Sequence, residues 1–313
     1  MSPATVAQSI LDPAGPQAAS IEGLWWLIFW ISTGVFVIVL AVLATAVLRS
    51  SVIQSSDVKL ARAVMMSAGA TVAILFVWLV ASVRAGRAIA SPKMSDAVTI
   101  NITGRQWWWQ LEYVDSTPSN RFRGANEIHI PVGRPVVINV TSRDVIHSFW
   151  VPALHGKRDL IPGYTSSLWL QADRAGLYRG QCAEFCGYQH AHMAMYVRAE
   201  SDGDFERWLA EQRRPAQEPA TDLQRRGRDV FMAATCPQCH AIRGTLAGAA
   251  FGPDLTHIGS RAMLGAGSVP NTAENLKRWV RNPQDIKPGS KMPPQDLNDG
   301  DLSALVEYVR QLK

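Results

Sequence analysis

The sequence predicts a multidomain protein: a transmembrane α-helical hairpin, then an all-β unit, then an all-α unit at the C-terminus. Three observations predict this order. Two uninterrupted apolar runs, Leu24–Leu48 and Ala63–Val83, lie in the first third of the chain. Residues from Ala97 to about Glu200 alternate apolar and polar side chains, and helical spacing returns from Asp222 onward. A chain of 313 residues is long enough for two or three folding units. The expected boundaries are an external tail at 1–23, the hairpin at 24–94, the β unit at 95–214, a linker at 215–221 and the helical unit at 222–313.

Neither apolar run contains an ionisable side chain. At about 1.5 Å per helical residue they reach roughly 37 and 31 Å, enough to cross a hydrocarbon core of about 30 Å. Trp25, Trp26 and Trp30 crowd one end of the first run, where interfacial aromatics belong. Between the runs stand Arg49, Lys59 and Arg62, whereas the preceding tail carries only Asp12 and Glu22. The positive-inside rule therefore places the connection in the cytoplasm and both ends of the chain outside. No basic segment or cleavage site precedes Leu24, so either the first span is the targeting signal or a leader has been removed.

In the β unit, Val98–Thr103, Glu127–Ile130 and Pro135–Val140 are rich in Val, Ile and Thr and are separated by Gly and Pro. Several short strands of this kind read as an antiparallel sandwich or barrel. A helix is expected at Gly203–Arg213, followed by the Pro/Ala linker Pro215–Ala220. Net charge is +5, but the signs are interspersed: residues 95–214 hold 13 basic and 13 acidic groups, and residues 222–313 hold 12 and 9. No basic run is present, which argues against nucleic acid.

The helical unit is expected to start at Asp222 as a cap for Leu223–Met232, with further helices over Thr272–Arg281 and from Asp299 or Asp301. Leu302, Leu305, Val306 and Val309 share one face of the last helix. Within this unit lies Cys236-Pro-Gln-Cys239-His240. Thiols three residues apart can form thioethers to both vinyl groups of one haem, with the adjacent histidine as axial ligand. A redox dithiol would leave the histidine unexplained, and a zinc site would need a second ligand pair. Met292, in a Pro-flanked loop, is the expected second axial ligand, whereas Met232 and Met263 read as packing residues.

The other two cysteines lie in Gly180-Gln-Cys182-Ala-Glu184-Phe-Cys186-Gly-Tyr-Gln-His190-Ala-His-Met193. Thiolates, imidazole and thioether within twelve residues form a soft donor set suited to copper. A mononuclear blue site would use one cysteine. The second, four residues on, suggests a dinuclear centre with bridging sulfurs, its other imidazole coming from elsewhere in the chain.

These motifs resemble subunit II of the haem–copper cytochrome c oxidases, of the caa type with a fused cytochrome c domain, over essentially the whole chain. The resemblance implies a cupredoxin barrel or sandwich followed by a class I cytochrome c domain. Asp144-Val-Ile-His147-Ser-Phe-Trp matches the family segment that supplies the first imidazole. By this likeness Cys182 and Cys186 bridge two coppers in a CuA centre, and His147 and His190 each bind one. Met193 and the Glu184 carbonyl complete the set, and the Glu184 carboxylate faces a magnesium shared with subunit I. Trp107, in Gly104-Arg-Gln-Trp-Trp-Trp109, corresponds to the aromatic above the copper where electrons enter, with Trp108 and Trp109 covering the barrel. Gly252-Pro253-Asp-Leu resembles the class I loop whose proline carbonyl accepts the N–H of the haem histidine, here His240. The remaining histidines, His129, His155, His192 and His257, read as structural.

The family reading implies that single electrons pass from covalent haem c to CuA and on to the catalytic subunit I. The expected donor is a cytochrome c or a quinol-oxidising complex. The expected setting is a bacterial cell membrane with the copper and haem units outside. One departure is plain: Asp57-Val-Lys-Leu-Ala-Arg62 lacks the glutamate that many relatives place at a proton path. The rivals are a quinol oxidase subunit, which lacks the copper ligands, and nitrous oxide reductase, which lacks the hairpin. A membrane-anchored cytochrome acting as a relay, with a non-functional copper loop, is the third.

Overall fold

The computed structural model describes residues 6–48, 56–90 and 97–313; Arg49 and the expected boundary at 94/95 lie outside them. These residues form two bodies, the hairpin helices from residue 17 to 90 and a second body comprising residues 6–16 and 97–313. In the hairpin, α1 (Pro16–Leu48) and α2 (Asp57–Ala90) extend beyond both apolar runs. Both are long and apolar enough to cross a membrane. Helix α1 begins on a proline, whose missing N–H costs nothing in a first turn. Phe36, Ile38, Val42, Met65, Val72 and Phe76 are exposed along the two helices, the distribution expected of surfaces that face lipid rather than water. Trp25, Trp26, Phe29 and Trp30 form a stacked and edge-on cluster near the start of α1.

The second body opens with two five-stranded sheets. One runs in the order β3-β2-β1-β5-β8, from β1 (Val98–Arg105), β2 (Trp108–Val114), β3 (Phe122–Ala125), β5 (Val136–Ser142) and β8 (Ser166–Leu170). The other is β4-β10-β9-β6-β7, from β4 (Glu127–Pro131), β6 (His147–Trp150), β7 (Arg158–Leu160), β9 (Gly176–Cys182) and β10 (Ala194–Glu200). Pairing is antiparallel except for β1 with β5 and β4 with β10, so the unit is a mixed sandwich rather than a purely antiparallel one. The alternation foreseen in the sequence works out side chain by side chain: Ile100, Ile102, Leu111, Ile138 and Val140 of one sheet and Ile128, Ile130, Phe149 and Val197 of the other are buried in one core. A one-residue slip in any of these strands would turn its apolar set outward, which pins the register. The N-terminal segment joins this unit, Ala7 exchanging main-chain hydrogen bonds with Leu177 and Arg179 and Ala14 with Ala153 and Asp173.

Helix α3 (Asp202–Gln212) closes the sandwich, with Phe205 and Leu209 inward. Helix α4 (Asp222–Ala233) is capped by Thr221 rather than Asp222: the Thr221 hydroxyl accepts from Gln224 N and the Gln224 side chain reaches back to the Thr221 amide. Asp222 sits instead in the first turn, where its charge suits the helix dipole. A ribbon of β11 (Met263–Leu264) and β12 (Val269–Pro270) precedes α5 (Ala273–Arg281). Helix α6 (Asp299–Gln311) begins at Asp299, the first of the two expected starts, and is capped by Asn298, whose side chain accepts from Asp301 N. Leu302, Leu305, Val306 and Val309 are all buried, against Phe231, Leu276 and Val280.

Candidate functional site

The metal-ligand cluster lies at one end of the sandwich, where the end of β9, the loop after it and the start of β6 converge. Cys182 closes β9, and its amide donates to Met193 O at 3.0 Å, so the loop returns on itself. The Cys182 and Cys186 sulfurs are 3.8 Å apart. His147 Nδ1 is 3.8 Å from Cys182 Sγ, His190 Nδ1 is 3.6 Å from Cys186 Sγ, and Met193 Sδ is 3.9 Å from Cys186 Sγ. The Glu184 carbonyl oxygen lies 3.2 Å from Cys182 Sγ, while its side chain is on an exposed residue. The ligand atoms of His147, Cys182 and Cys186 all fall within 4.8 Å of one another. Every donor named from the sequence is thus in one place. The two sulfurs are central, and one imidazole stands on each side.

The surroundings orient these donors. Asp144 Oδ1 is 2.8 Å from His147 Nε2. A carboxylate only accepts, so Nε2 carries a proton, and Nδ1 is the nitrogen turned to the sulfurs. Asp144 is itself fixed by the amides of Gln106 and Val145, at 2.7 and 2.9 Å. Burial raises the Asp144 carboxyl, but the hydrogen bonds from His147, Gln106 and Val145 outweigh it and hold the group below the ordinary range. Burial likewise pulls His147 down, yet its bonds to Cys182 and Asp144 carry it above the usual histidine value. The hydrogen bond shared between the sulfurs lowers the Cys182 thiol and raises that of Cys186. Gly104 allows the closest approach: a Cβ there would stand 2.7 Å from His147 Cδ2. Replacing Asp144 by alanine should weaken metal affinity about 10–100-fold, measured by competition with a chelator; an unchanged affinity would show that Asp144 has no orienting part.

The aromatic segment divides by residue. Trp107 is half-buried and donates its Nε1–H to Cys186 O at 2.9 Å; Gln106 Nε2 donates to the same carbonyl at 2.8 Å. Trp109 is fully buried, its ring edge-on to Phe149 and its Nε1 3.4 Å from Met193 O. Trp108 is covered by the Arg105 guanidinium. His192 is exposed. His129 pairs with Glu200 and stacks on Trp208, and His155 and His257 are buried on main-chain carbonyls.

The second cluster is in the helical unit. Cys236–Gln238 is a single 3-10 turn, and the His240 amide donates to Cys236 O at 3.0 Å, which carries both thiols and the imidazole on one tight loop. His240 Nδ1 is 2.7 Å from Pro253 O. A carbonyl too only accepts, so Nδ1 holds the proton and Nε2 is left as the donor atom. Burial lowers this ring below the usual histidine value. A Cβ on Gly252 would stand 2.7 Å from His240 Cε1, so the loop can wrap the ring only with glycine there. Met292 is half-buried in the loop before α6, with its carbonyl 3.4 Å from Gln284 Nε2.

Both donor sets fit what the motifs imply. The first has only soft thiolate, thioether and imidazole side chains, with a main-chain carbonyl, and the adjacent sulfurs suit bridging. The second offers two thiols, one of them exposed, beside an imidazole whose ligating nitrogen is free. Asp144 and Gln106 were not singled out from the sequence as orienting groups. The i, i+3 spacing of Asp144 and His147 was the available signal.

Fold and site together define a two-centre metalloprotein: a cupredoxin-like sandwich with a copper-type ligand cluster, joined to a helical unit with a haem-attachment motif. Comparison with known proteins agrees. The family described as cytochrome c oxidase subunit II, periplasmic domain, matches residues 116–200, and the cytochrome c family matches residues 224–313. Cytochrome c oxidase subunit 2 of Alkalihalophilus pseudofirmus is 41% identical over 224 residues, which is 71% of this chain and 64% of that protein. The Bacillus subtilis subunit 2 is 32% identical over 232 residues, again 71% of this chain and 64% of the relative. The crystal structure of the periplasmic domain of subunit II of the Bradyrhizobium japonicum cytochrome oxidase is 34% identical, covering 38% of this chain and 94% of that one, with a TM-score of 0.34. The chain therefore carries a cytochrome c oxidase subunit II periplasmic domain followed by a cytochrome c domain, and it spans somewhat less than two thirds of the length of these curated relatives.

Proposed function

We propose that the chain is the electron-transfer subunit of a bacterial terminal cytochrome c oxidase, anchored by its hairpin with both redox units outside the membrane. Electrons arrive at haem c, pass to a dinuclear CuA centre and leave for the haem–copper site of subunit I, where oxygen is reduced to water. The observation that carries this reading is the pair of cysteine sulfurs 3.8 Å apart with an imidazole beside each, in the same body as the Cys236-x-x-Cys-His240 loop. Two thiolates so placed would hold a pair of coppers able to share one unit of charge, and the closed sandwich would keep the donors from moving on each transfer.

His147, Cys182, Cys186, His190, Met193 and the Glu184 carbonyl would hold the two coppers. Cys236 and Cys239 would hold the haem covalently, with His240 and Met292 as axial ligands and Pro253 orienting His240. A thioether opposite an imidazole favours the reduced iron. Trp107 marks the face where electrons enter the copper site, and the exposed Glu184 carboxylate is available to a magnesium shared with subunit I. The donor would be a cytochrome c or a quinol-oxidising complex.

The test is to load the full chain and inject a single electron at the haem. The expected result is two coppers and one haem per chain, with haem oxidation and copper reduction occurring in step. Copper that stays oxidised while the haem remains reduced would favour the rival reading, an anchored cytochrome whose copper loop is silent.

A further inference from the structure

Lys287 belongs to the cytochrome c unit, six residues past the end of α5, yet it is only 3% exposed. Its ammonium donates to three main-chain carbonyls, Trp107 O, His192 O and Gly265 O, each at 2.8 Å. An ammonium has three N–H donors, and all three are used. Two of the acceptors flank the copper-ligand cluster, and the third is in the cytochrome unit itself. Neighbouring contacts extend the seat. Gln189 Nε2 donates to Pro288 O at 2.6 Å, and the backbone at Gly289, with φ +82°, leaves a Cβ position 3.4 Å from Tyr188 and 3.8 Å from Trp107. A larger residue at 289 would be strained by that φ and pressed against the Tyr188 ring.

A buried lysine satisfied only by carbonyls is not a packing choice. An apolar side chain of the same length would fill the volume and take this donor from the Trp107 and His192 carbonyls, which is the costlier arrangement. Nor is it an ordinary ion pair, since among the described residues its bonds run to main-chain carbonyls and not to a carboxylate. Its three bonds have directions set by two separate units, so it holds those units in one relative orientation. We infer that Lys287 is a docking latch: its ammonium, shared among carbonyls of both units, seats the cytochrome c unit on the Trp107 face of the copper loop and so positions it for electron transfer. This rests on the haem-to-copper path proposed above. Lys287 is a positioning residue, because it touches neither donor set directly.

Two measurements on the full chain test the latch. In the wild-type protein, brief treatment with acetic anhydride followed by peptide mapping should modify Lys287 at least tenfold more slowly than the exposed Lys157 and Lys291. In Lys287→Met, haem and copper contents and spectra should stay at wild-type values, while haem-to-copper transfer after single-electron injection slows at least tenfold. The latch is overturned if wild-type Lys287 is acetylated as fast as Lys291. It is equally overturned if a fully loaded Lys287→Met transfers at the wild-type rate. Should the variant fail to fold, the labelling of the wild-type protein decides alone. A wild-type chain that holds both groups yet transfers nothing overturns the electron path instead, and labelling still decides the docking.

Discussion

Replacing both Cys182 and Cys186 by serine is expected to leave a chain that keeps its haem and holds no copper. The two sulfurs stand between all the other donors: His147 approaches one, His190 and Met193 the other, and the Glu184 carbonyl lies against the first. Without them, two imidazoles, a thioether and a carbonyl remain, with no thiolate left to hold or join the coppers. Serine conserves shape, and the sandwich core draws on more than twenty other buried residues, so folding should persist. Metal analysis should read zero copper against two in the wild type, with the haem spectrum unchanged. Copper retained at either stoichiometry would sink the ligand assignment.

The second large effect is one of stability. Gly227 of α4 crosses α6 so closely that a Cβ would stand 2.0 Å from Ala304 O and 2.7 Å from Tyr308 Cβ. The first of these is helix backbone, which cannot rotate away as a side chain would. Gly227→Ala must therefore push the two helices apart and open the core formed by Phe231, Leu305 and Tyr308. Overpacking of this kind costs about 3 kcal/mol, a large share of what a unit of this size possesses. The thermal transition followed at the haem should fall by about 15 °C. A transition within a degree or two of wild type would mean that the helices cross farther apart than described.

What was legible in the sequence was whatever is local. The Cys182–Met193 run and the Cys236–His240 loop carry most of their donors within a few residues, so spacing alone named the chemistry. Alternation located β1, β4 and β5 because each buries one face, and the face of α6 could be read from its period. Strand pairing was harder: the parallel partners β1–β5 and β4–β10 lie far apart in the chain, and alternation does not tell who pairs with whom. His147 came from likeness rather than spacing, since 35 residues separate it from Cys182. Lys287 was invisible for the same reason. In the sequence it is one charged residue among many in a Pro/Gly-rich loop, and its acceptor at Trp107 is 180 residues away.

The short linker has a kinetic meaning. Ala216 donates to Arg243 O, and the Arg243 guanidinium grips the carbonyls of Gln212 and Arg214, so the chain is held on both sides of the point where the two units join. A tether so short keeps the local concentration of one unit at the other in the millimolar range or above. On the proposed path, electron exchange between them would be a first-order event whose rate is indifferent to dilution. Scarcity of a freely diffusing donor would then slow only the reloading of the haem and not the step that follows it.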